Sequence, residues 1–437
     1  MSLVPLIPIL FAIPFLLTLF LSNQPALGPF RQSALNPLLF VAAYIVLVAL
    51  DFFAMGSRGA GTLVDRPILV SQSHMISLAG RHAAMLIAAL AGVALGLLTA
   101  HKSIAPAANG AGNTRIRLFA VVVYLVLLSF WAWSVRSAFS TGISLENSLR
   151  LKEEAQGMTL TFTISLLLLP ALCFALVRQP YKVAVPLIVF SLILLFFSGS
   201  RTRMLYVLIP AAFYFFRVRG IPMPRKYFVV AIAAGLVLAF ASLNIRLASQ
   251  GQNLQGTSMT EIFSSNDVAF SEINLLILRQ PKGAISPYPF EDVVGFFAAG
   301  IPRSIVPFKP LNGSAQFTAI YDKFNWARFD RGLTVGGINE LQGDYPLPIA
   351  LVMSALLGFA WIYFFCRSAN SPTIYGFVWT VGSYAMVYNF LKADLMSAGQ
   401  MAFVFTLMTI LVRLYQVFAP GIPITPPPRT MAAPARA

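Results

Sequence analysis

A chain of 437 residues that is 58% hydrophobic and 11% charged, with a mean hydropathy of +0.76, has too little polar surface to fold as a soluble globule around one core. Its formal net charge of +16 would suit nucleic acid if the basic residues formed a domain, but they are scattered through short connections between apolar runs. Membrane topology accounts for them, and no nucleic-acid partner is expected.

Apolar stretches near the ~20 residues needed to cross ~30 Å of hydrocarbon run over 3–22, 34–55, 83–100, 117–139, 159–177, 183–199, 203–218, 227–244, 346–366, 371–392 and 397–418. They predict an all-α polytopic protein with about eleven membrane helices embedded in membrane lipids. The first stretch has no charged leading region and is long for a signal peptide, so it reads as a retained helix. Cys173 and Cys366 fall in different stretches without metal-like or redox-like neighbours. The predicted organisation is a bundle over 1–244, a large loop over 245–345, further membrane helices over 346–418 and a Pro-rich, disordered tail over 419–437.

Sorting charges over eleven spans puts fourteen cations and no acid on the side of the tail, among them Arg31, Arg217, Arg219, Arg225, Arg367 and Arg413. Every Asp and Glu falls towards the other side. The positive-inside rule makes the tail side cytoplasmic and the acidic, loop-rich side periplasmic or extracellular.

Arg201 and Arg203 are then on the outer side, where topology gives no reason for cations. Thirteen residues separate Arg203 from Arg217, about 20 Å of helix, so Arg203 lies below the outer interface if Arg217 is at the inner one. Pro210 can kink that helix and lower it further. Two readings fit: snorkelling to the headgroups, or an anion site shared with the Ser198-Gly199-Ser200 turn.

The loop is not linker-like. Phe263, Phe270, Ile273, Leu276 and Ile277 recur at helical spacing, as do Val293, Phe296 and Phe297, predicting short helices that lie on or dip into the membrane. Loops of this length usually carry function. His74 and His82 read as residues of an outer interfacial connection. Tyr288, Phe290, Tyr321, Phe324, Trp326, Phe329 and Tyr345 suit either a sugar-stacking lining or an interfacial belt. The adjacent acid pairs Glu153-Glu154 and Glu291-Asp292 point apart on a helix, so no metal or other cofactor is expected.

Within the loop, GIPRSIVPFKP (300–310) resembles the Pro-Arg, Pro, Lys-Pro pattern of Wzy-type oligosaccharide repeat-unit polymerases, which build O-antigen and exopolysaccharide. GGINELQGDYPLPIALVMSALLGF (336–359) resembles that family's Gly-Glu-Leu-Tyr stretch, with Gln342 and Asp344 departing from the usual residues. SGSR (198–201) is similar to a Ser-rich Arg motif of these polymerases and of O-antigen ligases. Arg246 to Gly256 and Arg303 to Gly313 each enclose nine residues, where the family pattern has ten. The resemblance covers roughly 190–366.

It implies a GT-C-like membrane glycosyltransferase of the bacterial inner membrane that acts on undecaprenyl-pyrophosphate-linked oligosaccharide. It also implies a chain-length regulator and export machinery as partners. The chemistry needs cations for a departing pyrophosphate, and guanidinium forks suit its oxygens. Arg201 and Arg203 are the first candidates; Arg303 and Lys309 are the second, or else form an interfacial turn set by Pro302, Pro307 and Pro310. A base is needed near the acceptor hydroxyl. Glu340 is best placed, or it pairs with Arg328 or Arg331; Asp344, Asp267 and Glu272 are the alternatives. An O-antigen ligase would use the same donor. A flippase would be expected to show internal repeats and would need no such loop.

Overall fold

A computed structural model of the chain describes residues 3–61, 68–100, 114–134, 159–177, 179–197, 201–230, 270–279, 291–299, 301, 305, 310, 313–321 and 335–418. These residues are helical almost throughout. In chain order the helices are α1 (Leu6–Leu21), α2 (Pro37–Arg58), α3 (Gln72–Thr99), α4 (Thr114–Ser134), α5 (Thr159–Leu176), α6 (Tyr181–Phe197) and α7 (Arg201–Phe213), the last running on into a π-turn over Tyr214–Val218. Four short helices follow: α8 (Phe270–Leu278), α9 (Glu291–Ala298), α10 (Gly313–Tyr321) and α11 (Gly337–Asp344). The chain ends in α12 (Leu347–Asn370), α13 (Ile374–Lys392) and α14 (Leu395–Phe418). The extended pairing among the described residues is confined to a two-residue antiparallel contact of Ala60–Gly61 with Ile68–Leu69 and a bridge between Ser33 and Pro224.

The apolar stretches become helices, and local chemistry sets their ends. Asn36 caps α2 by accepting the Leu38 N–H at 3.0 Å, with Pro37 at the first helical position. Ser71 caps α3 through the His74 N–H at 3.3 Å, and Thr373 caps α13 through Gly376 N–H at 3.1 Å. Capped at Ser71, α3 begins well before the apolar stretch at 83, because that stretch marks hydrocarbon and not the extent of the helix. His82 therefore lies inside α3, buried between the rings of Phe11 and Phe52 at 6.2 and 5.6 Å, and not in a connection. His74 is exposed in the first turn.

Four described helices, α2, α3, α12 and α14, are long and apolar enough to cross a membrane, and α1 with the segment Pro25–Gln32, bent by 98°, is either a broken fifth span or a re-entrant loop. Shorter apolar helical segments cover Leu118–Trp133, Leu166–Leu176, Tyr181–Ile193 and Leu205–Val218. Prolines lie inside three of the host helices: Pro170 in α5, Pro186 in α6 and Pro210 in α7. The protein is a multi-pass membrane protein, and residues such as Ile9, Ile13, Leu16 and Phe20 of α1 turn an exposed apolar stripe outwards. Cys173 and Cys366 are buried and free.

At the centre, α3 and α12 touch backbone to backbone. A Cβ on Gly92 would stand 1.8 Å from the Ala355 carbonyl oxygen, and one on Gly358 would stand 2.1 Å from that of Ala89. Gly92 and Gly96 on one helix, with Ser354 and Gly358 on the other, are small residues four apart, a spacing that lets membrane helices approach this closely.

Connections gather at the two ends of this bundle. At one end Arg225 donates to the Ser22 carbonyl at 3.0 Å and the Arg31 carbonyl at 2.6 Å, while Arg217 donates to the Ala369 carbonyl at 2.7 Å. At the other end Arg279 reaches the Leu69 carbonyl at 3.3 Å. The short helices pack at this second end. Among them α8 is buried from Phe270 to Ile277 against α2, α3 and α11, where protein groups meet its polar side chains.

Candidate functional site

The sequence GINELQGD forms α11, and every residue from Gly337 to Gly343 is buried. A buried helix carrying Asn339, Glu340 and Gln342 must have partners for them. Gly336, at φ 81°, makes the left-handed turn into this helix and donates its N–H to the Ala393 carbonyl at 2.7 Å.

One face of α11 carries amides. Asn274 of α8 donates through Nδ2 to Asn339 Oδ1 at 2.8 Å and to Gln342 Oε1 at 3.1 Å. Asn339 in turn donates to the carbonyls of Phe270 and Val335, each at 3.0 Å. These bonds fix α8 against α11 and define which way both amides point.

The carboxyls form a second group. Glu340 Oε2 accepts the Leu395 N–H at 2.8 Å, at the start of α14, where the helix dipole favours negative charge. Asp394 caps the same helix, its Oδ1 accepting the Ser397 N–H at 2.6 Å and its Oδ2 the Ser314 N–H at 3.3 Å. From above, α10 closes the site: a Cβ on Gly313 would stand 2.4 Å from Glu340 Oε1. Tyr345 Oη donates to Asp292 Oδ1 of α9, and Asp292 Oδ2 has no hydrogen-bond partner among the described residues.

Burial pushes the Glu340 carboxyl well above its ordinary range, and the charges of Asp394, Asp344 and Asp292 push it the same way against the Leu395 N–H. Burial also raises Asp292, opposed by the hydrogen bond from Tyr345. Carboxyls from α9, α11 and the head of α14 thus converge on Glu340. Among the described residues, no group of three or more His, Cys, Asp or Glu side chains is arranged to hold a metal ion.

Glu340 and Asp344 come together as the sequence places them. Glu272 does not join them: it is buried in α8 on the side of Asp51, whose Oδ2 accepts the Ser271 N–H at 2.6 Å. Arg201 and Arg203 occupy the first turn of α7, and their side chains, with Arg303, Lys309, Asp267, Arg328 and Arg331, lie outside the described residues. Of the aromatics considered for sugar stacking, Tyr321 donates to the Leu276 carbonyl at 2.8 Å and Tyr345 is held on Asp292. The others lie outside the description.

Asp292 and Asp394 escaped sequence reading as site residues. Asp292 stood out only as half of the Glu291-Asp292 pair, whose members do part company: Glu291 Oε1 takes the Gln316 amide at 3.4 Å. Asp394 is a lone acid between two apolar stretches, and that isolation was the available signal. Comparisons with protein-family models, with curated proteins and with solved structures each find no match to the chain.

Proposed function

We propose that this protein is a membrane glycosyltransferase of the Wzy type, which joins undecaprenyl-pyrophosphate-linked oligosaccharide units into a surface or secreted polysaccharide at the outer face of a bacterial inner membrane. In this reading about eleven spans form a GT-C-like bundle with a cytoplasmic tail, and residues 245–345 face outwards. Arg201 and Arg203 hold the donor pyrophosphate, with Arg303 and Lys309 in support, and stabilise the charge that grows on it as it leaves. The carboxyl cluster around Glu340 and Asp344 receives the acceptor hydroxyl.

One observation carries the reading: the segment most like the polymerases, 336–359, folds into a buried acid-bearing helix directly joined to a long apolar helix. Its carboxyls lie at the end of the bundle where the short loop helices pack, which supports a part for them in handling the acceptor's proton.

The test is direct. Purified protein in nanodiscs, given one lipid-linked repeat unit with a chelator and no nucleotide, should yield a ladder of glycans on one lipid. Product that appears only after a separate lipid-core acceptor is added would make it a ligase, and transfer across the membrane without a new glycosidic bond would make it a flippase. A reporter within 245–345 that reads as cytoplasmic would also overturn the proposal.

A further inference from the structure

Glu340 is poorly suited to accept a proton. Its Oε2 is occupied by the Leu395 N–H at 2.8 Å, and Gly313 packs so closely that a Cβ there would stand 2.4 Å from Oε1. Asp292 differs at its second oxygen. It is 5% exposed, one oxygen is fixed by Tyr345 Oη, and the other is a buried acceptor without a well-formed hydrogen bond among the described residues, the N–H groups of Val293 and of Asp292 itself lying near the carboxyl. Burying an acceptor without a donor is costly, and an empty carboxylate oxygen beside a carboxyl cluster calls for a ligand that brings an O–H or N–H. An acceptor sugar hydroxyl has that chemistry.

The geometry points to Asp292 as the catalytic base of the transfer, with Oδ2 binding the attacking hydroxyl of the acceptor sugar and Tyr345 as its positioning residue. This rests on the polymerase reading above and names which carboxyl of the cluster touches substrate. As the hydroxyl oxygen bonds to the anomeric carbon, the bond from that carbon to the pyrophosphate oxygen breaks. The hydroxyl proton passes to Asp292 Oδ2, and the pyrophosphate leaves with the electron pair. Burial makes Asp292 a stronger base than an exposed carboxylate.

The groups that act on Asp292 are Tyr345 Oη and the N–H groups of Val293 and of Asp292 itself, with Glu291 beside it on α9, and its charge acts in turn on Glu340. Asp292→Asn keeps the acceptor for Tyr345 and removes the base. With the lipid-linked repeat unit as probe, kcat for ladder formation should fall about a hundredfold or more while donor binding stays at the wild-type level. Tyr345→Phe removes the hydrogen bond that lowers the Asp292 pKa, so the acid limb of kcat/KM against pH should move to higher pH. An Asp292→Asn enzyme with wild-type kcat overturns the assignment and leaves the polymerase reading intact, whereas wild-type protein that makes no ladder overturns that reading and the assignment with it. Should Asp292→Asn fail to fold, the Tyr345→Phe profile decides, and an unmoved acid limb overturns the proposal.

Discussion

The Glu340 carboxyl and the Leu395 N–H, on either side of the junction between α11 and α14, are joined by a 2.8 Å hydrogen bond, and burial together with neighbouring carboxyls pushes the carboxyl well above its ordinary range. This has a consequence for stability against pH. The folded pKa of Glu340 lies above its unfolded value, so between the two the native state binds the proton and the unfolded state does not. Stability then falls as pH rises from the unfolded carboxylate pKa towards the folded one, by at most about 1.4 kcal/mol per pH unit for one group. Glu340→Gln, which keeps a carbonyl acceptor for Leu395, should flatten that dependence. Melting in detergent from pH 4 to 8 measures it; parallel profiles for the two proteins would show that Glu340 is not protonated in the fold.

The close crossing of α3 and α12 allows a second expectation. Gly92→Leu must displace the Ala355 backbone, which a Cβ would meet at 1.8 Å, so the helices separate and yield of folded protein collapses. Gly80→Leu is the control, because a Cβ there meets nothing within 4 Å. Equal monodisperse yields for the two variants, read by size exclusion, would contradict the packing.

The amide bridge between α8 and α11 predicts a graded loss. Asn274→Ala leaves Asn339 Oδ1 and Gln342 Oε1 without their donor, at a cost of about 1–3 kcal/mol. Asn274→Asp adds a charge facing two amide oxygens, so its melting temperature should drop further. The order of the two variants is the measurement that matters.

For the arginines at the head of α7, replacement by Lys keeps the charge and loses the planar fork. Arg201→Lys with Arg203→Lys should reduce polymer strongly while membrane insertion and expression stay normal. Wild-type polymer from the double variant would return both residues to snorkelling.

Much of the architecture was legible because a membrane helix is announced by a long run of similar residues. The stretches at 34–55, 346–366 and 397–418 became α2, α12 and α14 with small shifts at their ends. Averaged hydropathy is blind to single residues, so it could not foresee that Asp51 and Glu272 are buried acids or that His82 is a ring within an aromatic layer. The candidate site was half legible. Glu340 and Asp344 sit in one motif, but Asp292 and Asp394 reach them from other segments, and no local pattern records a meeting that only tertiary packing creates. Nor does sequence position tell how readily a carboxyl gives up its proton: burial and neighbouring charges raise Glu340.

The turn between α13 and α14 is stitched to α11 on both sides, by the Gly336 N–H to the Ala393 carbonyl at 2.7 Å and by the Leu395 N–H to Glu340. α11 and the final helical hairpin are therefore one mechanical body. A hinge at this seam would have to break both bonds. On the proposed function, the elements that open to admit a lipid-linked glycan are expected to lie outside it, with the seam as the fixed anvil against which they close.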